Sequence, residues 1–342
     1  MERKITIVCC ALLFLISIIW IQYSTRFNSP SNECCPLYGN QSSFRIPPPF
    51  AMNPLNKIRT DCGELCDISR KGVSGQFFDE IKASVDCKAL FKNEFIDRGH
   101  DLPKAPKEMP AELRNEYTMN NRLRVKPWYF DEKYLGGNAY LPLWKQTQID
   151  QWVSLARQGR LKGNYGIQET NFLRDGLKHA PEIKQGRVLV IGSQTPWVEA
   201  CVLEAGAREV VTLEYGQIIS QHPKVKTMVP FDFRMSFLNN TLGSFDAIVT
   251  FSSIEHSGLG RYGDALNPWG DIIAIARAWC VTKPGGSLTL GVPYVNSGVG
   301  YIAFNAGRFY GKIRYPYLAT NWRQIYRGKG GIHRVHVFSK MK

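Results

Sequence analysis

The sequence predicts an α/β fold built on a doubly wound, mostly parallel sheet, and three observations carry the prediction. Short apolar runs at 188–191 (VLVI), 210–213 (VVTL), 244–251 (SFDAIVTF) and 287–292 (SLTLGV) have the length and β-branched content of strands buried on both faces. Between them, 199–206 and 269–281 carry apolar residues at helical spacing. Glycine punctuates the joints. Gly192 closes the first run, and Lys283-Pro284-Gly285-Gly286 stops the second helix, since that sequence cannot continue one. Alternation of this kind puts helices on both faces of a parallel sheet.

The 342 residues are 44% apolar, enough for a packed core and too many for a wholly disordered chain. The formal net charge of +14 is spread along the sequence, with no dense Lys/Arg run inside a nucleic-acid-binding motif. A generally basic surface follows, and nucleic acid is not expected as a partner.

In chain order, 5–23 (ITIVCCALLFLISIIWIQY) is uncharged and long enough to span a bilayer. Its bulky end, Trp20, Ile21 and Tyr23, suits an interfacial anchor better than a signal-peptide cleavage site. Arg3 and Lys4 before it keep residues 1–4 cytosolic and place the rest in the secretory lumen, Golgi or endoplasmic reticulum, as a single-pass type II membrane protein. Residues 24–110 read as a stem, with Pro47-Pro48-Pro49 extended by its own geometry. Within it, 75–100 shows mixed helical periodicity. Cys34, Cys35, Cys62, Cys66 and Cys87 cluster there, where an oxidising lumen favours disulfides. Five is odd, so one stays free, pairs with another chain, or pairs with Cys201 or Cys280. A zinc site at Cys62 and Cys66 lacks a second pair of ligands at finger spacing. Asn40 and Asn239 head glycosylation sequons. Residues 111–180 form an aromatic-rich extension with a helix at 147–158, and 181–342 form the α/β domain.

That domain opens at 187–214 with strand, glycine turn, helix, strand and acid, the first half of a Rossmann-like βαβ unit. Gly192 lets the backbone approach a ligand, free N–H groups at the helix start attract an anion, and Glu214 at a strand end accepts hydrogen bonds from ribose hydroxyls. A third strand is expected at 224–229, followed by Pro230-Phe231-Asp232-Phe233. Ser252-Ser253-Ile254-Glu255-His256-Ser257-Gly258 follows the 244–251 strand. Residues 299–310 are expected to be a helix, and 333–339 alternates like a final strand.

FDAIVTFSSIEH, a helix and then KPGGSLTLGVP resembles the later motifs of class I S-adenosylmethionine-dependent methyltransferases, with matching order and spacing over 187–293. The run SSIEHSGLGRYGDALNPWGD is similar to an uncharacterised family of worm and bacterial proteins catalogued as domain of unknown function 268. The resemblance implies S-adenosylmethionine as cofactor. Gly192, Ser193 and Gln194 would face its methionine end, Glu214 its ribose, Asp232 and Phe233 its adenine, and Ser252 and Ser253 the methyl group. Val190 stands where such enzymes usually carry an acid, and Gln194, Thr195 and Pro196 where they carry more glycines.

His256 is the candidate catalytic base, because histidine titrates near neutral pH, and Glu255 is the second candidate. Arg261 and Asp264, in GLGRYGD, are candidates for binding an acidic or sugar acceptor. A lumenal enzyme most readily meets glycans, so glycan O-methylation is the expected reaction. Two other readings stand beside it. A non-catalytic binding protein on this scaffold would explain the sparse glycine loop. A dinucleotide-dependent oxidoreductase would need glycines near 194 and 197, where Gln194 and Trp197 stand.

Overall fold

Along the strands of the central sheet, neighbouring side chains enter two different cores. Val188 and Val190 join one apolar cluster and Leu189 the other, and Ala247 and Val249 are divided from Ile248 in the same way. A strand's side chains alternate between faces, so unbroken apolar runs of this kind need cover on both sides. The structure, a computed structural model, describes residues 52–96, 106–130, 132, 141–296 and 298–341. The expected cytosolic tail and membrane span, Asn40, Cys34 and Cys35 lie outside the described residues. Among the described residues no helix is long and apolar enough to cross a membrane.

The described elements are α1 (Met52–Cys62), α2 (Cys87–Lys92), α3 (Arg114–Tyr117), β1 (Arg124–Trp128), β2 (Leu143–Trp144), α4 (Gln146–Arg157), α5 (Gly166–Leu177), β3 (Arg187–Ile191), α6 (Trp197–Glu204), β4 (Glu209–Leu213), β5 (Ile219–Ser220), β6 (Val225–Met228), α7 (Pro230–Leu238), β7 (Phe245–Phe251), α8 (Gly270–Val281), β8 (Thr282–Pro293), β9 (Tyr301–Asn305), β10 (Gly307–Phe309), α9 (Tyr315–Leu318), β11 (Trp322–Gly330) and β12 (His333–Lys340). The seven-stranded sheet has the order β11-β12-β8-β7-β3-β4-β6. Its five strands from β8 to β6 are parallel, and β12 and β11 close one edge antiparallel. From β3 the chain winds outward through β4 and β6, then returns to lay β7 on the other side of β3. The carboxyl ends of β3 and β7 therefore flank the topological switch point, where ligands of doubly wound sheets bind.

α4, α5 and α6 cover one face of the sheet, α7 and α8 the other. α8 is buried nearly all round. Ile275, Ala278 and Val281 face the sheet-side cluster, while Ile272, Ile273 and Ala276 join a third cluster with Leu55, Ile58 and Leu65 from the amino-terminal segment. Residues 52–96, read from sequence as stem, thus pack into the same compact unit as the sheet. A disulfide ties Cys87 to Cys280 at the end of α8, a second joins Cys62 to Cys66 and so removes the zinc alternative, and Cys201 is buried and unpaired.

Three local expectations change. Residues 299–310 form β9 and β10, not a helix. β9 pairs in parallel with β1 and antiparallel with β10. The run YIAFNAGRF suits either period, and only the distant partner at 124–128 decides between them. Of 75–100, residues 75–96 are described, and among them only α2 and one turn at Glu94–Ile96 are helical, because Phe78 turns into the sheet-side core instead of extending a helix. Residues 230–238 form α7, which the spacing did not announce. Pro230 opens it, since its fixed φ suits the first helical turn.

Candidate functional site

Two adjoining cavities open at the switch point. The larger, of about 400 Å³, is lined by Tyr165, Gln194, Ser252, His256, Arg261 and Tyr262, among others. The smaller, of about 80 Å³, runs between Leu189, Ile191, Phe233, Ala274 and Ala278. Gly192, Glu214, Tyr215, Ser253, Ser257 and Asp264 line both, and so form the junction.

Gly192 ends β3 with φ +74. A Cβ built there would lie 1.7 Å from Ser253 Oγ. The space opened by the missing side chain is taken by Ser253 from the β7 end, so this glycine joins the two strand ends closely instead of leaving a gap for a ligand. Ser193 N donates to Glu214 Oε2 at 2.8 Å, and Tyr215 N donates to Oε1 at 2.6 Å. Burial raises the Glu214 carboxyl to about pKa 7 against those backbone donors. Below the loop sits Glu199, fully buried in the first turn of α6 and not singled out from the sequence. Burial raises it to about 7 as well, and Thr212 Oγ1 donates to it at 2.7 Å. Ser193 Oγ is 2.9 Å from both Glu199 Oε2 and Thr195 O. One hydroxyl hydrogen serves one acceptor, so a protonated Glu199 donating to Ser193, which donates to Thr195 O, satisfies all three. The sequence signal was an acid inside the apolar run WVEACVLE.

The structure divides the expected adenine pair. Phe233 is buried and lines the smaller cavity, whereas Asp232 is exposed on α7 and lines neither. Successive helical residues point about 100° apart, so a helix starting at Pro230 cannot aim both at one site. Asn239 lies exposed at the end of α7. Trp197 is a core residue against Phe251, at the position where a dinucleotide site would need glycine.

Beyond β7, Glu255 and His256 part ways. His256 lines the larger cavity, and its Nδ1 lies 2.6 Å from Ala306 O, a contact only Nδ1–H can make. Nε2 is then left unprotonated. Burial and the neighbouring Arg261 lower its pKa to about 3, so the neutral-range titration expected from its residue type does not hold. Glu255 is 1% exposed and sits behind Ser252, whose Oγ lies 2.8 Å from Glu255 Oε1. Burial lifts Glu255 to about 7, and Oε2 has no hydrogen-bond partner among the described residues.

Arg261 lies at the rim, donating to Ala306 O and to Glu132 Oε1 at 3.1 and 2.9 Å, with its guanidinium 4.3 Å from the Phe130 ring centre. Asp264 braces its own loop, accepting from the backbone N–H of Gly258 at 2.7 Å and of Tyr262 at 3.3 Å. The loop is anchored from below by buried arginines. Arg308 Nη1 donates to Ser257 O at 2.6 Å. Arg314 donates to Pro268 O at 2.6 Å and to both oxygens of Asp271 at 2.8 and 2.6 Å.

Residues 185–332 match the family described as Caenorhabditis protein of unknown function, DUF268. The DUF268 match begins just before β3 and runs through β11, taking in the arginine anchors and most of the lining of both cavities, but not Ile96 of the smaller or Glu132, Asn164 and Tyr165 of the larger. No curated protein matches the sequence. Among solved structures, a chain of the complex between the Haloferax volcanii Trm112 methyltransferase activator and the putative methyltransferase is similar at 10% identity, TM-score 0.36, over 56% of this chain and 98% of that one. A putative S-adenosylmethionine-dependent methyltransferase from Listeria monocytogenes is similar at 10% identity, TM-score 0.34, over 50% and 99%. The N-methyltransferase NodS from Bradyrhizobium japonicum WM9 is similar at 13% identity, TM-score 0.32, over 51% and 95%.

Proposed function

We propose that the two cavities bind S-adenosylmethionine and that the protein transfers its methyl group to a hydroxyl oxygen. The observation that carries this reading is the position of Glu214, a carboxyl at the end of the second parallel strand that lines both cavities where they meet at the switch point. The residues fit the cofactor. Phe233, Leu189 and Ala274 offer apolar walls to an adenine ring, and Glu214 has lone pairs beyond those used by backbone N–H groups to accept from ribose hydroxyls. When bound, the cofactor supplies a methyl carbon activated by a sulfonium.

The chain's own residues do the rest. Ser193 and Gln194 would face the amino-acid end. Tyr165, Tyr262, Arg261 and Glu132 would orient an acceptor in the larger cavity, where positioning contributes much of the rate. His256 Nε2, kept unprotonated, would accept the hydroxyl proton. A glycan suits the combination of aromatic rings with guanidinium, carboxylate and amide groups on that wall. The two disulfides favour an oxidising lumen, with 5–23 as the anchor, and S-adenosylmethionine made in the cytosol would then have to be imported.

Calorimetric titration of the full-length protein with S-adenosylhomocysteine tests the reading. Glu214→Ala should weaken binding roughly ten- to a hundredfold, since a hydrogen bond to a charged group contributes ~1.5–3 kcal/mol. Absence of binding to the native protein would favour a binding protein on this scaffold over an enzyme, and unchanged affinity in Glu214→Ala would remove the ribose assignment.

A further inference from the structure

A second set of reactive groups meets at Ser252, whose hydroxyl has no chemical role in the methyl-transfer reading. Ser252 is the first residue after β7, at a sharp turn into the short helix Ile254–His256, and it holds φ +50, a left-handed conformation that serine seldom adopts. The turn is fixed by Ser252 N donating to Gly291 O at 2.8 Å. The side chain lines the larger cavity. Its Oγ lies 2.9 Å from Nε2 of His333, which is 81 residues away at the start of the antiparallel strand β12. On the far side of that ring, Nδ1 is 3.5 Å from Glu169 Oε2, and neither atom has another hydrogen-bond partner among the described residues. Glu169 is held in turn by Ile332 N, which donates to its Oε1 at 2.8 Å. The imidazole is clamped between Phe251 and Tyr165, at ring-centre distances of 4.9 and 4.5 Å.

Hydroxyl, imidazole and carboxyl in that sequence make the nucleophile, base and orienting acid of acyl transfer, a constellation recognised by geometry and not by chain order. A serine on a strained strand-to-helix turn at the carboxyl end of a parallel strand is how such a nucleophile is presented to a cavity. We propose that Ser252 is a nucleophile with His333 as its base and Glu169 as the residue that orients the base, giving the larger cavity an acyl-transfer activity toward small esters. Ser252 Oγ bonds to the ester carbonyl carbon and its proton passes to His333 Nε2. The carbon–alkoxide bond then breaks, and the alkoxide leaves with that proton. Water, deprotonated by His333, attacks the acyl carbon, the bond to Ser252 Oγ breaks, and the carboxylic acid departs as the serine hydroxyl is restored. In this scheme the Ser253 amide, the next N–H along the chain, would donate to the oxyanion.

Glu255 Oε1 competes for the same hydroxyl at 2.8 Å. Its carboxyl, raised to about 7, is substantially protonated at neutral pH and then donates to Ser252 Oγ, leaving the serine hydrogen for His333. Burial lowers His333 to about 4, so it is a free but weak base at neutral pH and the reaction should be slow.

The test needs neither S-adenosylmethionine nor an acceptor, so it is independent of the methyl-transfer reading. The full-length protein is incubated with a biotinylated fluorophosphonate, which loses fluoride on attack, and the adduct is located by peptide mass spectrometry. The expected result is one adduct on Ser252, lost in Ser252→Ala, kept in Ser253→Ala and in Glu255→Gln, and formed about 10²-fold more slowly or worse in His333→Asn. On the native protein the labelling rate should fall near pH 4, as His333 takes up a proton, and fall again above about pH 7, as Glu255 ionises and accepts the serine hydrogen, the second fall being absent in Glu255→Gln. No adduct on folded native protein, an adduct elsewhere, or a rate that climbs steadily with hydroxide would overturn the proposal. Loss of labelling in Glu255→Gln with retention in His333→Asn would overturn the role of His333. The native pH profile decides that role even where His333→Asn fails to fold.

Discussion

Asp271 is the counter-ion of the two buried arginines that anchor the loop over the cavities. It is fully buried at the start of α8 and accepts from Arg314 Nε at 2.8 Å, Arg314 Nη2 at 2.6 Å and Tyr310 Oη at 3.0 Å, with Arg308 Nε at 3.6 Å. Asp271→Asn keeps the shape and removes the charge, leaving two buried guanidinium groups without their counter-ion. Breaking a buried ion pair from one side costs about 3–5 kcal/mol. At roughly 2–4 °C per kcal/mol for a domain of this order of size, the melting temperature should fall by roughly 6–20 °C. Arg314→Met in the same chain removes one of the two orphaned charges and should recover part of the loss. Burial alone would raise the Asp271 pKa, but Arg308 and Arg314 outweigh it and hold the carboxyl below its ordinary value. A lowered folded pKa stabilises above the unfolded value, near 3.9, and that stability is lost as pH falls through the folded one. The difference between wild type and Asp271→Asn should thus be constant from pH 8 to 5 and shrink below about pH 4. Scanning calorimetry across that range measures it. A drop of less than about 2 °C at pH 7 would refute the claim that these arginines depend on Asp271.

Three further outcomes are expected. Cys87→Ser with Cys280→Ser opens a loop closed across 193 residues, and chain entropy puts the cost near 5 kcal/mol, read as a lower urea midpoint than wild type and abolished as a difference when both are reduced. Glu199→Gln should gain on wild type as pH rises, because a carboxyl raised from 4.5 to about 7 gives up stability between those values, on the order of 3 kcal/mol in full, so equal pH dependence of the two melting curves would exclude a neutral Glu199. His256→Ala should still bind S-adenosylhomocysteine, and any turnover it lowers should be lowered equally from pH 5 to 9, since an imidazole held near 3 does not titrate there; a loss that varies across that range would contradict the burial assigned to it.

The sequence by itself determined the parallel core of the fold. VLVI, and Ala247-Ile248-Val249 within FDAIVTF, are unbroken apolar runs of the kind a strand covered on both faces carries, and the glycine and proline joints spaced them correctly along the chain. It also brought Gly192, Ser193, Glu214, Ser252 and Ser253 to notice, because they stand within two residues of strand ends, and Phe233 through the resemblance, and all of them line the cavities. The tertiary structure alone decided the rest. The phase of α7 turned Asp232 outward, which no residue type announces. The 299–310 run became β9 and β10 because its hydrogen-bond partner lies at 124–128. Glu169, Ser252 and His333 converge from an outer helix, a central strand end and an antiparallel strand, and no local spacing records that meeting. His256 carries an ordinary side chain whose ordinary pKa is lost on burial. Periodicity reports what a residue's neighbours in the chain demand. Contact and desolvation depend on neighbours in space, and these exist only once the sheet has closed the distance between them.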